Sequence, residues 1–268
     1  MIATTAKIMY ETGEKISIAP IFDVHMGNAA CDVNGFRRYL RDNSDESTYF
    51  ICGGDLTDSV ITSDLKRYAK NIDATVGNEI IDEQIHSMVG TLEPYAPRIL
   101  GSLTGNHEQN ISKRCGTHPT KRLCSELGIP YWGYSCLLGL SLVNKSNPKK
   151  CISINFRLHH GWGGGSRTRG ADITKYERDM GKWDADVFMY GHGHKSQVDK
   201  FPRLGRMGNK VTAKPKMLVL CGTFLKTFTD DVDPTYSEIS GYPPTDIGCP
   251  RIIITPTEGN GYKLNAWI

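Results

Sequence analysis

Residues able to ligate a metal ion or move a proton recur at one kind of place in this sequence: directly after a short apolar run, beside glycine. Asp23 and His25 follow Lys15–Ile21, and Asp55 follows Tyr49–Cys52 behind Gly53 and Gly54. Asn106, His107 and Glu108 follow Arg98–Leu103 and Gly105. His159 and His160 close the run Cys151–Leu158, and His192 and His194 alternate with Gly191 and Gly193 after Asp186–Tyr190. Carboxylate, imidazole and amide oxygen together form a mixed donor set of the kind that holds Mn, Fe, Zn or Ni. A carboxylate shared by two such ions would set them ~3.5–4 Å apart, the spacing used in two-metal hydrolysis. Each segment alone is weak. Asp23-Val24-His25 or Gly54-Asp55 can end any strand, and Gly105–Glu108 can be a turn into a helix cap. Their order and common context carry the signal.

The elements that must position these groups can be read from periodicity. Lys15–Ile21, Tyr49–Cys52 and Arg98–Leu103 read as short strands. The spacing predicts helices near Val33–Arg41, across Leu65–Leu92 (with a break at Gly77) and across Lys113–Leu127. From Tyr131 onward strands dominate: Leu137–Val143, Cys151–Leu158, Asp186–Tyr190, Val198–Phe201, Met217–Cys221, Arg251–Thr255 and Tyr262–Trp267, with a helix near Ile173–Lys182. Early βαβ units followed by hairpins predict an α/β sandwich of two sheets flanked by helices, as a single domain over 1–268. Ligands of such sheets bind beyond the carboxyl ends of the strands. Five segments spread through the sequence therefore converge on one crevice.

Composition narrows the classes. The chain has 268 residues, 39% hydrophobic and 9% aromatic, which is too apolar for a disordered chain. Its net charge of +3 excludes a uniform basic field but leaves room for a local basic face. No apolar run approaches the ~20 residues of a membrane span, and no signal-like segment stands at the N-terminus. The eight cysteines form no C-x-x-C pair, so free thiols in a reducing, cytoplasmic compartment are expected.

The ordered series Asp23-Val-His25, Gly54-Asp55, Gly105-Asn106-His107-Glu108, His160-Gly161 and Gly191-His192-Gly193-His194 resembles the calcineurin-like metallophosphoesterase superfamily, with matching spacing between blocks. The tail, Tyr236 through Gly241-Tyr-Pro-Pro-Thr245 to Pro250, resembles phage-type members, which would place the chain in a host cytoplasm. The resemblance implies a four-layer αββα sandwich of two mixed β-sheets and a centre of two divalent metal ions, with Mn favoured and Fe, Zn, Ni or Mg as alternatives. It implies Asp23, His25 and His194 on one ion, Asp55 as bridge, and Asn106, His160 and His192 on the other. Within His159-His160, adjacent strand residues face opposite ways; the His-Gly pattern of the relatives favours His160. His107 would protonate the leaving alkoxide, with Glu108 as its orienting partner. The catalytic set is thus His107, Glu108 and Asp55.

The activity implied is metal-dependent hydrolysis of phosphate esters, with a phosphodiester of nucleotides or nucleic-acid ends favoured. The serine/threonine phosphatases of the superfamily carry Asp-Arg-Gly where this chain has Asp58-Ser59-Val60, so Asp58 is kept and the phosphate-gripping arginine is lost. Arg167 and Arg169, in the glycine-rich run Gly163–Gly170, could replace it in a phosphomonoesterase; the same run could equally be a solvated loop. The repair nucleases' histidine after the second block is also missing. Trp162 is expected to wall the cleft or to be buried, and Tyr131, Trp132 and Tyr134 to pack in the core or stack a base. Residues 195–216 hold seven Lys/Arg and one acid, a stripe that suits a nucleic-acid backbone or a plain solvated hairpin. Residues 228–246 carry five acids and no base, a stretch that could shield or gate the site or be a plain surface loop. A non-catalytic scaffold is the remaining alternative, disfavoured by the completeness of the ligand set.

Overall fold

A computed structural model describes residues 1–61, 80–164, 166–168, 170–228, 235–258 and 261–268, apart from the side chains of Met207 and Tyr236. The chain order is β1 (Ile2–Tyr10), β2 (Ile16–Ile21), α1 (Val33–Asp42), β3 (Thr48–Gly53), α2 (Ile80–Leu92), a 3₁₀ turn (Glu93–Arg98), β4 (Ile99–Leu103), α3 (Asn106–Cys115), α4 (Pro119–Leu127), β5 (Ser135–Asn144) and β6 (Cys151–His159). Then follow α5 (Ala171–Met180), β7 (Val187–Tyr190), β8 (Ser196–Met207), β9 (Lys210–Cys221), α6 (Tyr236–Ile239), β10 (Arg251–Pro256) and β11 (Tyr262–Trp267).

Two mixed sheets result, ordered β1-β5-β6-β7-β9-β8 and β11-β10-β2-β3-β4. In the second sheet β2, β3 and β4 run parallel; in the first, β6, β7 and β9 do. Alternation shows how the layers stack. Ile152, Ile154, Phe156 and Leu158 of β6 are buried, while Cys151, Ser153 and Asn155 between them are exposed. In β7 and β9 both faces are covered. Val187, Met189, Met217 and Val219 join the central core; Phe188, Tyr190, Leu218 and Leu220 join a second cluster with Tyr176 and Met180 of α5. All six residues of β2 are buried, because one face meets the first sheet and the other lies under helices. Tyr39 of α1 donates to the Pro20 carbonyl there, and α4 packs against β4 and α2. This is the expected αββα sandwich.

Local departures have local causes. The helix expected over Lys113–Leu127 is two helices. Gly116 takes the left-handed conformation (φ 66°) and Pro119 starts the next helix, where its missing N–H costs nothing. Strand β4 begins at Ile99 because Glu93–Arg98 close into the 3₁₀ turn. Of the helix expected over Leu65–Leu92, Ile80–Leu92 is helical and 65–79 lie outside the described residues. Strand β1 was not anticipated: only Ile8 and Tyr10 of its nine residues are buried, so its apolar signal is faint. Among the described residues, no helix is long and apolar enough to cross a membrane.

Candidate metal centre

The parallel strands of both sheets deliver their carboxyl ends to one place. The loop after β2 is laced to the loop after β3, with Asp23 N–H donating to Gly54 O and His25 N–H to Asp55 O. It is laced to the first sheet as well, since Phe224 N–H and Thr223 Oγ1 both donate to Asp23 O. These loops turn so tightly that six non-glycine residues adopt positive φ, and five of them are Asp23, His25, Asp55, His192 and His194. Such conformations cost ~1–3 kcal/mol each and persist where the surroundings impose them. Glycine supplies the remaining room: a Cβ on Gly54 would meet the backbone of Gly105, and one on Gly191 would meet Asp23 Oδ2 and His160 O.

The side chains so placed form three overlapping groups: Asp23, His25 and His194; His25, Asp55 and His107; Asp55, His160 and His192. Within each group the candidate ligand atoms lie within 4.8 Å of one another. His25 Nε2 faces His194 Nε2 at 3.3 Å, and His194 Nε2 is 3.3 Å from Asp23 Oδ1. Asp23 Oδ1 is buried and accepts no hydrogen bond. On the other side, His160 Nε2 lies 2.9 Å from Asn106 Oδ1 and 3.2 Å from Asp55 Oδ2. Imidazoles turned toward each other across buried carboxylates fit divalent cations, whose charge the carboxylates require.

Without an ion, the buried carboxylates draw their counter-charge from the imidazoles. Burial alone would depress His160, but the Asp55 carboxylate beside it holds it up, to about 10. Burial likewise opposes ionisation of Asp55, yet the charges of His160 and His107 keep its carboxyl well below the usual range. Burial pushes His25 and His192 down, toward the neutral form that ligates metal.

The ring orientations are set from behind. His25 Nδ1 is 3.2 Å from Asp58 Oδ1, which also accepts from Asn28 Nδ2 at 3.1 Å. His160 Nδ1 donates to Gly53 O at 2.9 Å. His192 Nε2 donates to Gly163 O at 2.6 Å, and its backbone N–H to Asp23 Oδ2. His107 Nδ1 donates to Asp58 O at 2.5 Å, which turns Nε2 toward Asp55, 4.0 Å from Oδ2.

The structure also separates residues that sequence left together. His160 stands in the cluster. His159 turns to an aromatic nest of Tyr134, Trp162 and Tyr190, accepts from Gly161 N–H, and is pushed by burial down to about 4. Trp162 is therefore no cleft wall; it packs edge-on against His159, Tyr176 and Tyr190. Arg167 spends its guanidinium on the Ser240 carbonyl, 2.9 Å away, and does not line the cavity; Arg169 lies outside the described residues. Trp132 is core, buried against Gly101. Glu108 is placed otherwise than expected. Its two oxygens accept four backbone N–H groups, from Leu56 (2.7 Å), Thr57 (3.2 Å), Asp55 (3.0 Å) and Gly105 (2.9 Å), so it holds loops rather than orienting the His107 ring.

A cavity of about 470 Å³ opens on the centre. His25, Asp55, Asn106, His107, His192 and His194 form its polar wall; Val60, Leu225, Tyr242 and Pro243 form an apolar one. The sequence marked 228–246 as a shield of the site or a surface loop by its acids alone, and nothing in Tyr242-Pro243 singled out that pair as a wall. Sequence reasoning also missed Lys195, whose Nζ bonds Asp172 Oδ2, Ser166 O and Thr168 O, each at 2.8 Å, and so pins the glycine-rich loop to the cavity rim. For Asp58 there was a signal: an acid three residues beyond Asp55, inside a run that is buried from Phe50 to Val60.

No family model and no curated protein matches the chain. Solved structures to which it is similar include a metallophosphoesterase from Sphaerobacter thermophilus, at 13% identity over 95% of this chain and 89% of that one, with a TM-score of 0.42. Wild-type Vps29 complexed with zinc, from Entamoeba histolytica, shares 16% identity over 94% and 98%, with a TM-score of 0.35. A conserved predicted phosphoesterase from Streptococcus pneumoniae TIGR4 shares 11% over 94% and 89%, with a TM-score of 0.36.

Proposed function

We propose that this chain is a metal-dependent phosphoesterase, with a phosphodiester of nucleotides or nucleic-acid ends as its substrate. The observation that carries the reading is the chain of overlapping donor groups joined through His25 and Asp55. In this reading Asp23, His25 and His194 hold one divalent ion, Asn106, His160 and His192 the other, and Asp55 serves both, with Mn favoured. When bound, such ions neutralise phosphate oxygens and lower the pKa of water at the site.

The chain's own residues do the rest. Asp58 and Gly53 O fix which nitrogen of His25 and His160 faces the centre. His107, with Nδ1 committed to Asp58 O, presents Nε2 on the cavity side and can hand a proton from that atom to the departing alkoxide. General acid catalysis of this kind contributes about 10²–10⁴-fold. Glu108 is a positioning residue: it fixes the Asp55 loop to the start of α3, and thereby Asp55 to Asn106 and His107. The apolar wall of Val60, Leu225, Tyr242 and Pro243 suits a leaving group with a flat, apolar face, as a nucleoside has. Of the two arginines that could grip a monoester, Arg167 is engaged with the Ser240 carbonyl, which weakens that alternative.

The test is hydrolysis of bis(p-nitrophenyl) phosphate beside p-nitrophenyl phosphate, with Mn²⁺ or chelator, in the wild type and Asp55→Asn. Metal-dependent diester cleavage that the variant loses is expected. Cleavage of the monoester alone would overturn the diester preference, and protein that binds no metal would overturn the enzyme reading.

A further inference from the structure

The basic stretch 195–216 is not one surface. Lys195 is buried against Asp172, Lys200 Nζ bonds Leu264 O and Asn265 Oδ1, and Lys216 Nζ bonds Ala185 O and Asp186 Oδ1. Those three cations serve the fold. The other four, Arg203, Arg206, Lys210 and Lys214, sit on a different kind of structure. Strands β8 and β9 pair with each other from Ser196↔Cys221 out to Met207↔Lys210, but β7 pairs with β9 only over Met217–Leu220. The outer part of the hairpin is thus a two-stranded arm extending beyond the sheet, with Leu204 at 69% and Val211 at 77% exposure.

The register sorts its side chains. Arg203 faces Lys214 directly across the ribbon, and Lys210 lies on the same face two pairs further out, with Gly205 and Thr212 between. Like charges directly opposite each other destabilise a ribbon. No acidic residue occurs from Lys200 to Lys216, and none of the four cations makes an ion pair or side-chain hydrogen bond among the described residues. This face has positive charge and small residues, and no internal counter-ion. Pro202 and Pro215, paired where the arm leaves the sheet, remove a backbone donor from each outer edge, which discourages pairing with another strand.

We infer that the arm is a docking element for double-stranded nucleic acid, seated as a ribbon in the major groove. The Arg203–Lys214 row and Lys210 are separated by four residues along the strand, roughly 13 Å at ~3.3 Å per residue. The major groove is ~12 Å wide and admits a two-stranded ribbon, and cations spaced along that ribbon meet separate phosphates of the rims. The arm also lies far from the candidate centre: Arg203 follows His194 by nine residues, seven of them along β8, a reach on the order of 30 Å in extended chain. A mononucleotide at the centre cannot reach it, whereas a duplex of about nine base pairs or more can. The inference deepens the phosphodiester reading, and rests on it for what the docking serves.

The experiment measures binding and turnover separately. A fluorescein-labelled 25-base-pair DNA duplex is titrated with the full chain by anisotropy across a salt series, beside the double variant Arg203→Gln/Lys214→Gln and the reversal Arg203→Glu/Lys214→Glu. Expected are at least tenfold weaker binding by the reversal, and in the Gln pair a salt slope shallower by roughly two, as loss of two phosphate contacts gives. Hydrolysis of bis(p-nitrophenyl) phosphate should be unchanged in both, because neither residue belongs to the centre. Equal duplex binding by all three proteins, or no duplex binding by the wild type, would overturn the inference. So would arm-dependent binding to anionic phospholipid vesicles in preference to the duplex. If the wild type binds the duplex through the arm but cleaves no ester, the docking stands and the proposed activity falls.

Discussion

The Nδ1 atom of His25 lies 3.2 Å from Oδ1 of Asp58, and the opposite nitrogen faces Asp23, Asp55 and His194 at 3.3–4.0 Å. A carboxylate behind a ligating imidazole fixes its tautomer and raises its basicity, and losing such a partner typically costs 10–100-fold in metal affinity. Asp58→Ala is therefore expected to weaken Mn²⁺ binding by about that factor while the fold is retained. Metal titration followed by calorimetry checks this. Unchanged affinity would mean that the geometry of the loop, with His25 at φ 55°, suffices without the carboxylate.

His107 borders the cavity with its ring 15% exposed, more than His25 at 3% and His160 at 0% and less than His194 at 25%. A proton donor must meet the substrate, whereas a ligand need not. His107→Ala should keep the metal stoichiometry of the wild type and lower kcat by roughly 10²–10⁴-fold. Elemental analysis beside turnover separates the two properties, and parallel loss of both would make His107 a ligand.

Much of this was legible because strand ends announce themselves. The runs before Asp23, Asp55, His160 and His192 were read within a residue or two of β2, β3, β6 and β7. The helix expected near Val33–Arg41 matches α1, whose first turn the Asp32 carboxylate caps by accepting from the Gly35 N–H. What stayed hidden depends on contacts made only after folding. Glu108 reads as His107's neighbour in sequence, yet beside Gly105 its partners are Asp55, Leu56 and Thr57, 53, 52 and 51 positions away. Trp162 follows His160-Gly161 directly, but with positive φ at Gly161 (123°) it packs against Tyr176 of α5. The basic stretch divides only once the register shows which lysines reach back to the sheet.

Within the second sheet, Arg251 of β10 reaches across to Ser17 of β2, Thr48 of β3 and Asp45 in the turn before β3. Burial would raise the Asp45 carboxyl, but hydrogen bonds from Thr48 and Ser47 and the Arg251 charge outweigh it, leaving it below the ordinary value. A carboxyl held low in the folded state contributes stability above its unfolded pKa of ~3.9, and loses it as pH falls through the folded value. The pair is partly exposed and screened, so Asp45→Ala should cost about 0.5–1 kcal/mol near neutral pH. Urea unfolding at pH 7 and pH 3 checks the sign: the gap between wild type and variant should narrow at the lower pH. A gap independent of pH would assign the effect to the backbone turn instead.

The sharpest stability test is Glu108. One carboxylate, 1% exposed, takes four backbone N–H groups from two loops. Each buried donor left without a partner costs ~1–3 kcal/mol, so Glu108→Ala should lose at least about 3 kcal/mol. Gln is isosteric but no substitute: its oxygen can serve one pair of donors, while its –NH₂ meets the other pair donor to donor. Glu108→Gln is thus expected to lose about 2 kcal/mol, a fall in Tm of roughly 4–8 °C for a chain of this size. Metal binding should weaken with it, because Asp55 N–H and Gly105 N–H hang from the same oxygen, and their loops carry Asp55 and Asn106. Were Gln to match wild type in both Tm and metal affinity, the carboxylate's charge would have no part in joining the loops, and shape alone would hold them.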